Sequence, residues 1–198
     1  FDVVDVYGSL PYVLARDEKN PLVNYTDFYD LYFGVKYGLL NEYRNDSMSL
    51  SFGLEGKVPV RDYNPNVYTA PGYNQEDISL YAQVGKFLPF YQYVNAEVRY
   101  IFRLGNPPDQ FYYLLEYGFY IPQVRLGIGL QYNNTNSLGG KDVGAYDELE
   151  TDYSFLGYKI SFEPVNKVYV EFSHSWTVSK KHAPEFTNYG FHIGYIFN

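Results

Sequence analysis

The chain has 198 residues, a formal net charge of -8, no cysteine, and an aromatic share of 21% that includes 25 Tyr and 15 Phe. That length suits one large domain, and the missing thiols exclude disulfides and Cys-ligated metal. The acidic balance argues against nucleic acid, which needs a basic face. Tyr, Phe and Val favour pleated surfaces, so the composition points to an all-β fold.

No run of about 18 consecutive apolar residues is present, which excludes a transmembrane helix. The mean hydropathy of -0.33 leaves a membrane barrel open, because the strands of a barrel show only alternate residues to lipid. The beginning, FDVVDVYGSL, lacks the basic segment and apolar core of a secretion signal.

Taken in order, the chain shows ten segments of period two, separated by turn or loop residues. The first sets Val4, Val6, Gly8, Leu10, Tyr12 and Leu14 against Asp5, Tyr7, Ser9 and Pro11, and the polar ARDEKNPLVNYT follows. The second alternates Leu31 to Leu39 with Asp30, Tyr32, Gly34, Lys36 and Gly38, and ends in the tight NEYRND. The third sets Met48 to Val60 against Ser47, Ser49, Ser51, Gly53, Glu55 and Lys57. A long loop at 61–77 leads to Ile78, Leu80, Ala82 and Val84, and LPFYQ turns the chain into the fifth run, Val94 to Leu104, backed by Glu97, Arg99 and Arg103.

GNPPDQ separates this from the sixth run, Phe111 to Ile121, which Pro122 stops. The seventh, Val124 to Tyr132, precedes the acidic loop NTNSLGGKDVGAYDELE. The eighth carries Leu156, Tyr158, Ile160 and Phe162, EPVN turns it, and the ninth carries Val168, Val170, Phe172, His174 and Trp176. SKKHAPEFT leads to the last, NYGFHIGYIFN.

The connections alternate in length, short ones at one end and long ones at the other, as in a barrel with periplasmic turns and outer loops. A β-sandwich has no reason to sort its loops this way. In a soluble lipocalin-like or sandwich domain the apolar faces would be buried, yet here they are too many and too aromatic for one small core. The expected fold is therefore all-β: a single antiparallel up-and-down transmembrane β-barrel over residues 1–198. It has ten strands, or twelve if a hairpin precedes Phe1, with the last strand sealed by Asp5, Tyr7 and Ser9 of the first.

With apolar faces on lipid, the opposite faces line the lumen. Inward acids are Asp5, Asp30, Glu55, Glu97, Glu116, Glu163 and Glu171, and inward bases are Lys36, Lys57, Arg99, Arg103, Arg125, Lys159 and Lys167. Seven meet seven, which predicts paired ions and no field favouring one ion sign. Inward Tyr32, Tyr81, Tyr112 and Tyr169 stand among many inward glycines. Either the rings fill the interior by lying over neighbouring glycines, or they line a narrow channel where stacking and hydroxyl bonding combine. Trp176, Tyr132, Tyr195 and Phe197 are expected in the aromatic girdles at the membrane surfaces.

Catalysis finds little support. In FSHSW the pleat puts His174 on the face opposite Ser173 and Ser175, so no nucleophile and base meet. His182 sits in a basic loop suited to lipopolysaccharide phosphates, and His192 faces inward with Glu171 in reach. Asp142, Asp147, Glu148, Glu150 and Asp152 are oxygen ligands of the type calcium takes, but their spacing matches no calcium loop. No cofactor or metal is expected.

Tyr189, Phe191, Ile193, Tyr195 and Phe197 resemble the C-terminal signal of bacterial outer-membrane proteins, with Asn198 following where that signal usually ends on the aromatic. The resemblance implies residence in the outer membrane of a Gram-negative-type bacterium. It also implies the bilayer, lipopolysaccharide and the assembly machinery as partners. Two functions follow: a small passive channel for polar or aromatic solutes, or a non-transporting barrel that holds a partner protein or a second copy through loops 61–77 and 134–150.

Overall fold

The computed structural model describes residues 4–9, 12–16, 24–28, 30–60, 76–104, 108–138, 152–166, 168–181 and 187–195. Twelve strands run β1 (Val4–Ser9), β2 (Tyr12–Arg16), β3 (Asn24–Phe28), β4 (Leu31–Leu40), β5 (Ser49–Val58), β6 (Glu76–Leu88), β7 (Gln92–Leu104), β8 (Gln110–Ile121), β9 (Leu126–Ser137), β10 (Asp152–Val165), β11 (Val168–Lys181) and β12 (Thr187–Tyr195). Ten of them form one antiparallel sheet in the order β1-β4-β5-β6-β7-β8-β9-β10-β11-β12, and β2 pairs with β3 in a separate hairpin.

Up-and-down order with each strand beside the next is what short turns and period-two faces dictate. β4 shows the pattern most plainly, its residues alternating between exposed and half-buried along its whole length. Side chains on the inner face reach over an intervening strand: Tyr7 on β1 donates to Glu55 on β5, and Lys159 on β10 pairs with Glu116 on β8. Curvature brings inner-face groups together in this way, and the sheet is a curled half-barrel.

Four expectations need correction. The first run does not continue to Leu14: β1 ends at Ser9, and Tyr12 and Leu14 belong to β2. Pro11 lies between the two segments and has no N–H to offer a ladder. The segment expected as polar loop contributes β3, so the two strands beyond ten form a hairpin within the first long connection and are not members of the sheet. Among the described residues β1 pairs with β4 alone and β12 with β11 alone, so Asp5, Tyr7 and Ser9 face Lys36, Gly34 and Tyr32 and do not seal the last strand. Finally, β6 begins at Glu76 and β9 continues to Ser137, which moves residues expected in the long loops into the sheet.

The short connections are tight. Phe90 and Tyr91 between β6 and β7 have φ of 63° and 62°, and Arg125 before β9 has φ of 50°. Bulky residues in that region carry strain that the surroundings must hold. Here the Phe87 N–H donates to Glu42 and the Tyr120 N–H to the Tyr91 carbonyl.

Candidate functional site

Strand register makes the inner face legible as rows of directly opposed residues. One row runs Lys36, Gly53, Tyr81, Arg99, Tyr112, Thr135 and Tyr153 across β4 to β10. Towards the long loops, the rows carry large and charged groups: Glu55 and Ser79 in one, Tyr32, Lys57, Asp77 and Arg103 in the next. Towards the short turns the rows mix small and polar residues: Gly38, Ser51, Gln83 and Glu97, then Ser49, Gly85, Asn95, Glu116, Gln131 and Gly157.

Packing follows the rows. On the long-loop side Asp30 is 0% exposed, and Glu55, Lys57, Asp77, Ser79, Arg103 and Gln110 are also buried, as are Tyr81 and Thr135 in the central row and Glu97 and Glu116 on the short-turn side. A buried charge is stable only with a partner. Lys57 supplies one by bridging Asp30 at 3.3 Å and Asp77 at 2.5 Å, while Arg103 approaches Asp77 at 3.8 Å. On the short-turn side a cavity of about 370 Å³ remains, lined among others by Lys36, Ser51, Gln83, Asn95, Glu97 and Glu116. The small side chains of its rows leave that space.

The central row joins the two halves. Arg99 pairs with Glu55 and, at 2.9 Å, with Glu97, and Gln83 donates to Glu97 at 2.5 Å. The Arg99 guanidinium also lies 4.9 Å from the Tyr81 ring centre and 5.9 Å from that of Tyr112, within cation–π range. Tyr81 lies across Gly53 so closely that a Cβ there would overlap the ring, and Tyr7 covers Gly34 likewise. Nearer the short turns Tyr93 covers Gly118 and donates to Glu116 at 2.6 Å, which also takes Lys159 at 2.8 Å and Gln131 at 2.9 Å.

The inner face therefore gathers Lys36, Glu55, Lys57, Glu97, Arg99, Arg103, Glu116, Lys159, Glu171, Tyr32, Tyr81 and Tyr112. Lys36 pairs with Asp5 at 3.0 Å, and Lys159 with Glu171 at 3.7 Å. One expected lining residue sits in a turn. Arg125 occupies the β8–β9 turn with a positive φ of 50° and meets Glu163 at 3.5 Å. Tyr169, next to the β10–β11 turn, shares the face of Glu171 and Ser173 and is 43% exposed there. Two residues were missed: Asp77 followed a long loop and Tyr93 a Pro-containing turn, so neither stood inside an alternating run. Asp77 adds an acid to the seven expected inside, while Lys167 lies outside the described residues.

The outer face is apolar in its middle and aromatic-polar at its edges. Leu54, Leu80, Val98, Leu115, Leu130 and Ile160 are exposed along it. Towards the long loops Tyr132 packs against Tyr113, and its hydroxyl donates to Ser154, which also accepts from Asn134. Trp176 stands beside His174, itself stacked on Tyr189 and edge-on to Tyr158. His174 thus belongs to an outer aromatic cluster, across the sheet from Ser173 and Ser175. His182, Phe197 and the loop acids other than Asp152 lie outside the described residues, as do the side chains of His192 and Tyr195. Asp152 accepts from the Ser137 N–H, and no metal-holding cluster occurs among the described residues.

An up-and-down sheet with an apolar outer band, aromatic edges and an inner face of paired charges defines a bacterial outer-membrane β-barrel protein. The chain belongs to the family described as "Putative MetA-pathway of phenol degradation", whose model matches residues 2–193. Its fold is similar to the crystal structure of an outer membrane channel from Pseudomonas putida F1, with a TM-score of 0.74 and 15% identity over 98% of this chain and 77% of that one. No curated protein matches the chain.

Proposed function

We propose that the protein is a passive outer-membrane channel for small, neutral, hydroxylated aromatic molecules of the phenol type. The observation that carries this reading is the polar cavity of about 370 Å³ on the inner face, lined by Glu97 and Glu116, carboxylates that already hold cations, with Tyr81 and Tyr112 in the adjoining Arg99 row. In the cavity a phenol hydroxyl finds acceptors in Glu97 and Glu116, and in the adjoining row its ring gains about 0.5–1.5 kcal/mol from each well-placed aromatic partner, Tyr81 and Tyr112. Charges paired within the wall leave at most a local acidic excess where Glu55 and Glu97 share Arg99, and weak, repeated sites let a solute leave as readily as it enters. The family description, which names phenol degradation, and the likeness to an outer membrane channel support the same reading.

Current through single barrels in planar bilayers tests it without interference from phenol crossing the lipid. Phenol is expected to cause brief blockades whose frequency rises with its concentration, and cyclohexanol, which lacks the ring, to cause far fewer. A barrel with no current, or with a current indifferent to phenol, contradicts the proposal.

A further inference from the structure

We propose that Arg99 is the specificity-determining residue of the channel: it holds the boundary between the hollow and the packed halves of the lumen and decides what crosses. The inference rests on the channel reading above. Its first ground is position, since Arg99 stands in the central row, with the cavity-lining Ser51, Gln83 and Glu97 in the row on the short-turn side and the buried Lys57, Asp77 and Arg103 on the other. A solute in the cavity meets this row before anything packed beyond it.

The second ground is how the side chain is held. Glu55 and Glu97 take the edge of the guanidinium, and Tyr81 and Tyr112 take its surroundings. A planar fork fixed by ion pairs and rings keeps one position far better than a flexible ammonium would. Glu97 lines the cavity as well as pairing with Arg99, so it is the point where a solute can act on the latch. A hydroxyl that donates to Glu97 competes with Arg99 and Gln83 for the carboxylate and loosens the guanidinium from it.

The third ground is charge. Two carboxylates share one guanidinium, which leaves the boundary with a surplus of negative charge that turns away anions while passing neutral donors. The boundary therefore separates phenol from benzoate, a ring of similar size that bears a carboxylate.

Single-channel recording of the full chain, wild type against Arg99→Gln, Arg99→Lys and the rim control Arg125→Gln, tests this. Arg99→Gln is expected to raise conductance several-fold and to move the reversal potential in a salt gradient towards cation selectivity, because Glu55 and Glu97 lose their counter-charge. Arg99→Lys, which restores the charge without the fork, is expected to raise conductance while keeping the wild-type reversal potential. Arg125→Gln is expected to match the wild type. In wild type, benzoate is expected to block far less often than phenol.

Wild-type conductance and reversal potential in both Arg99 variants overturn the proposal, and if phenol still blocks the wild type, the channel reading survives that failure. A silent wild type beside a conducting Arg99→Gln supports the latch and overturns the passive channel. Silence in every variant overturns both. If Arg99→Gln does not fold, Arg99→Lys decides by the same conductance comparison.

Discussion

The two halves of the inner face use the same residue types to opposite ends. Towards the long loops, Asp30, Lys57, Asp77 and Arg103 are buried together, and in the central row beside them Tyr81 fills the space that Gly53 leaves. Towards the short turns, Ser49, Ser51, Gly85 and Asn95 occupy the equivalent rows, and a cavity lies over them. Buried charge is present in both, Glu97 and Glu116 included, but only in the second does a cavity lie beside it. A barrel wall can thus be rigid and impassable at one height and hollow at another, with side-chain volume along each row as the control.

The sharpest way to break this comparison is to remove Lys57. Lys57→Met takes the shared cation from the buried Asp30 and Asp77, with Arg103 still 3.8 Å from Asp77, and breaking a buried pair costs about 3–5 kcal/mol. Urea unfolding in detergent micelles is expected to show a loss of that size, and a change near zero would mean the long-loop half is wetter than its packing implies. Next in size is a glycine pair. Gly53→Ala drives a Cβ into the Tyr81 ring and is expected to cost about 1–3 kcal/mol as overpacking. Gly85→Ala meets only the tip of Asn95, 2.6 Å away and free to turn, and is expected within about 0.5 kcal/mol of wild type.

Filling the hollow half has the reverse signature. Ser51→Phe is expected to leave the unfolding midpoint in place while lowering single-channel current by more than half. The smallest effect belongs to the rim. Arg125 and Glu163 are 47% and 31% exposed, and Arg125→Ala is expected to cost about 0.2–1 kcal/mol, fading as salt is raised.

Much of the sheet was legible because alternation survives wherever one face meets lipid: the runs around Leu54, Leu80, Val98 and Ile128 each gave a strand in its place. Legibility failed where that contrast fades. Residues 133–137 of β9 are polar on both faces, so the strand was longer than its alternating stretch. Asp77 and Tyr93 open their strands beside a loop and a turn, where period two has no neighbours to establish it. The division of the lumen lay beyond sequence altogether, since it depends on which residues share a row, and register is set by pairing and not by any single strand. Tyr81, Arg99 and Tyr112 are each inward by parity, but that they stand in line is a fact of register.

Because the chain contains no cysteine, one introduced thiol reports on one place, and the division of the lumen can be measured directly. Ser51→Cys and Ser79→Cys, each in reconstituted barrels, are to be labelled with a membrane-impermeant maleimide. Ser51 lines the cavity and Ser79 is buried beyond the Arg99 row, so the first thiol is expected to react far faster than the second. Equal rates at the two positions would contradict a lumen that is hollow on one side of Arg99 and packed on the other.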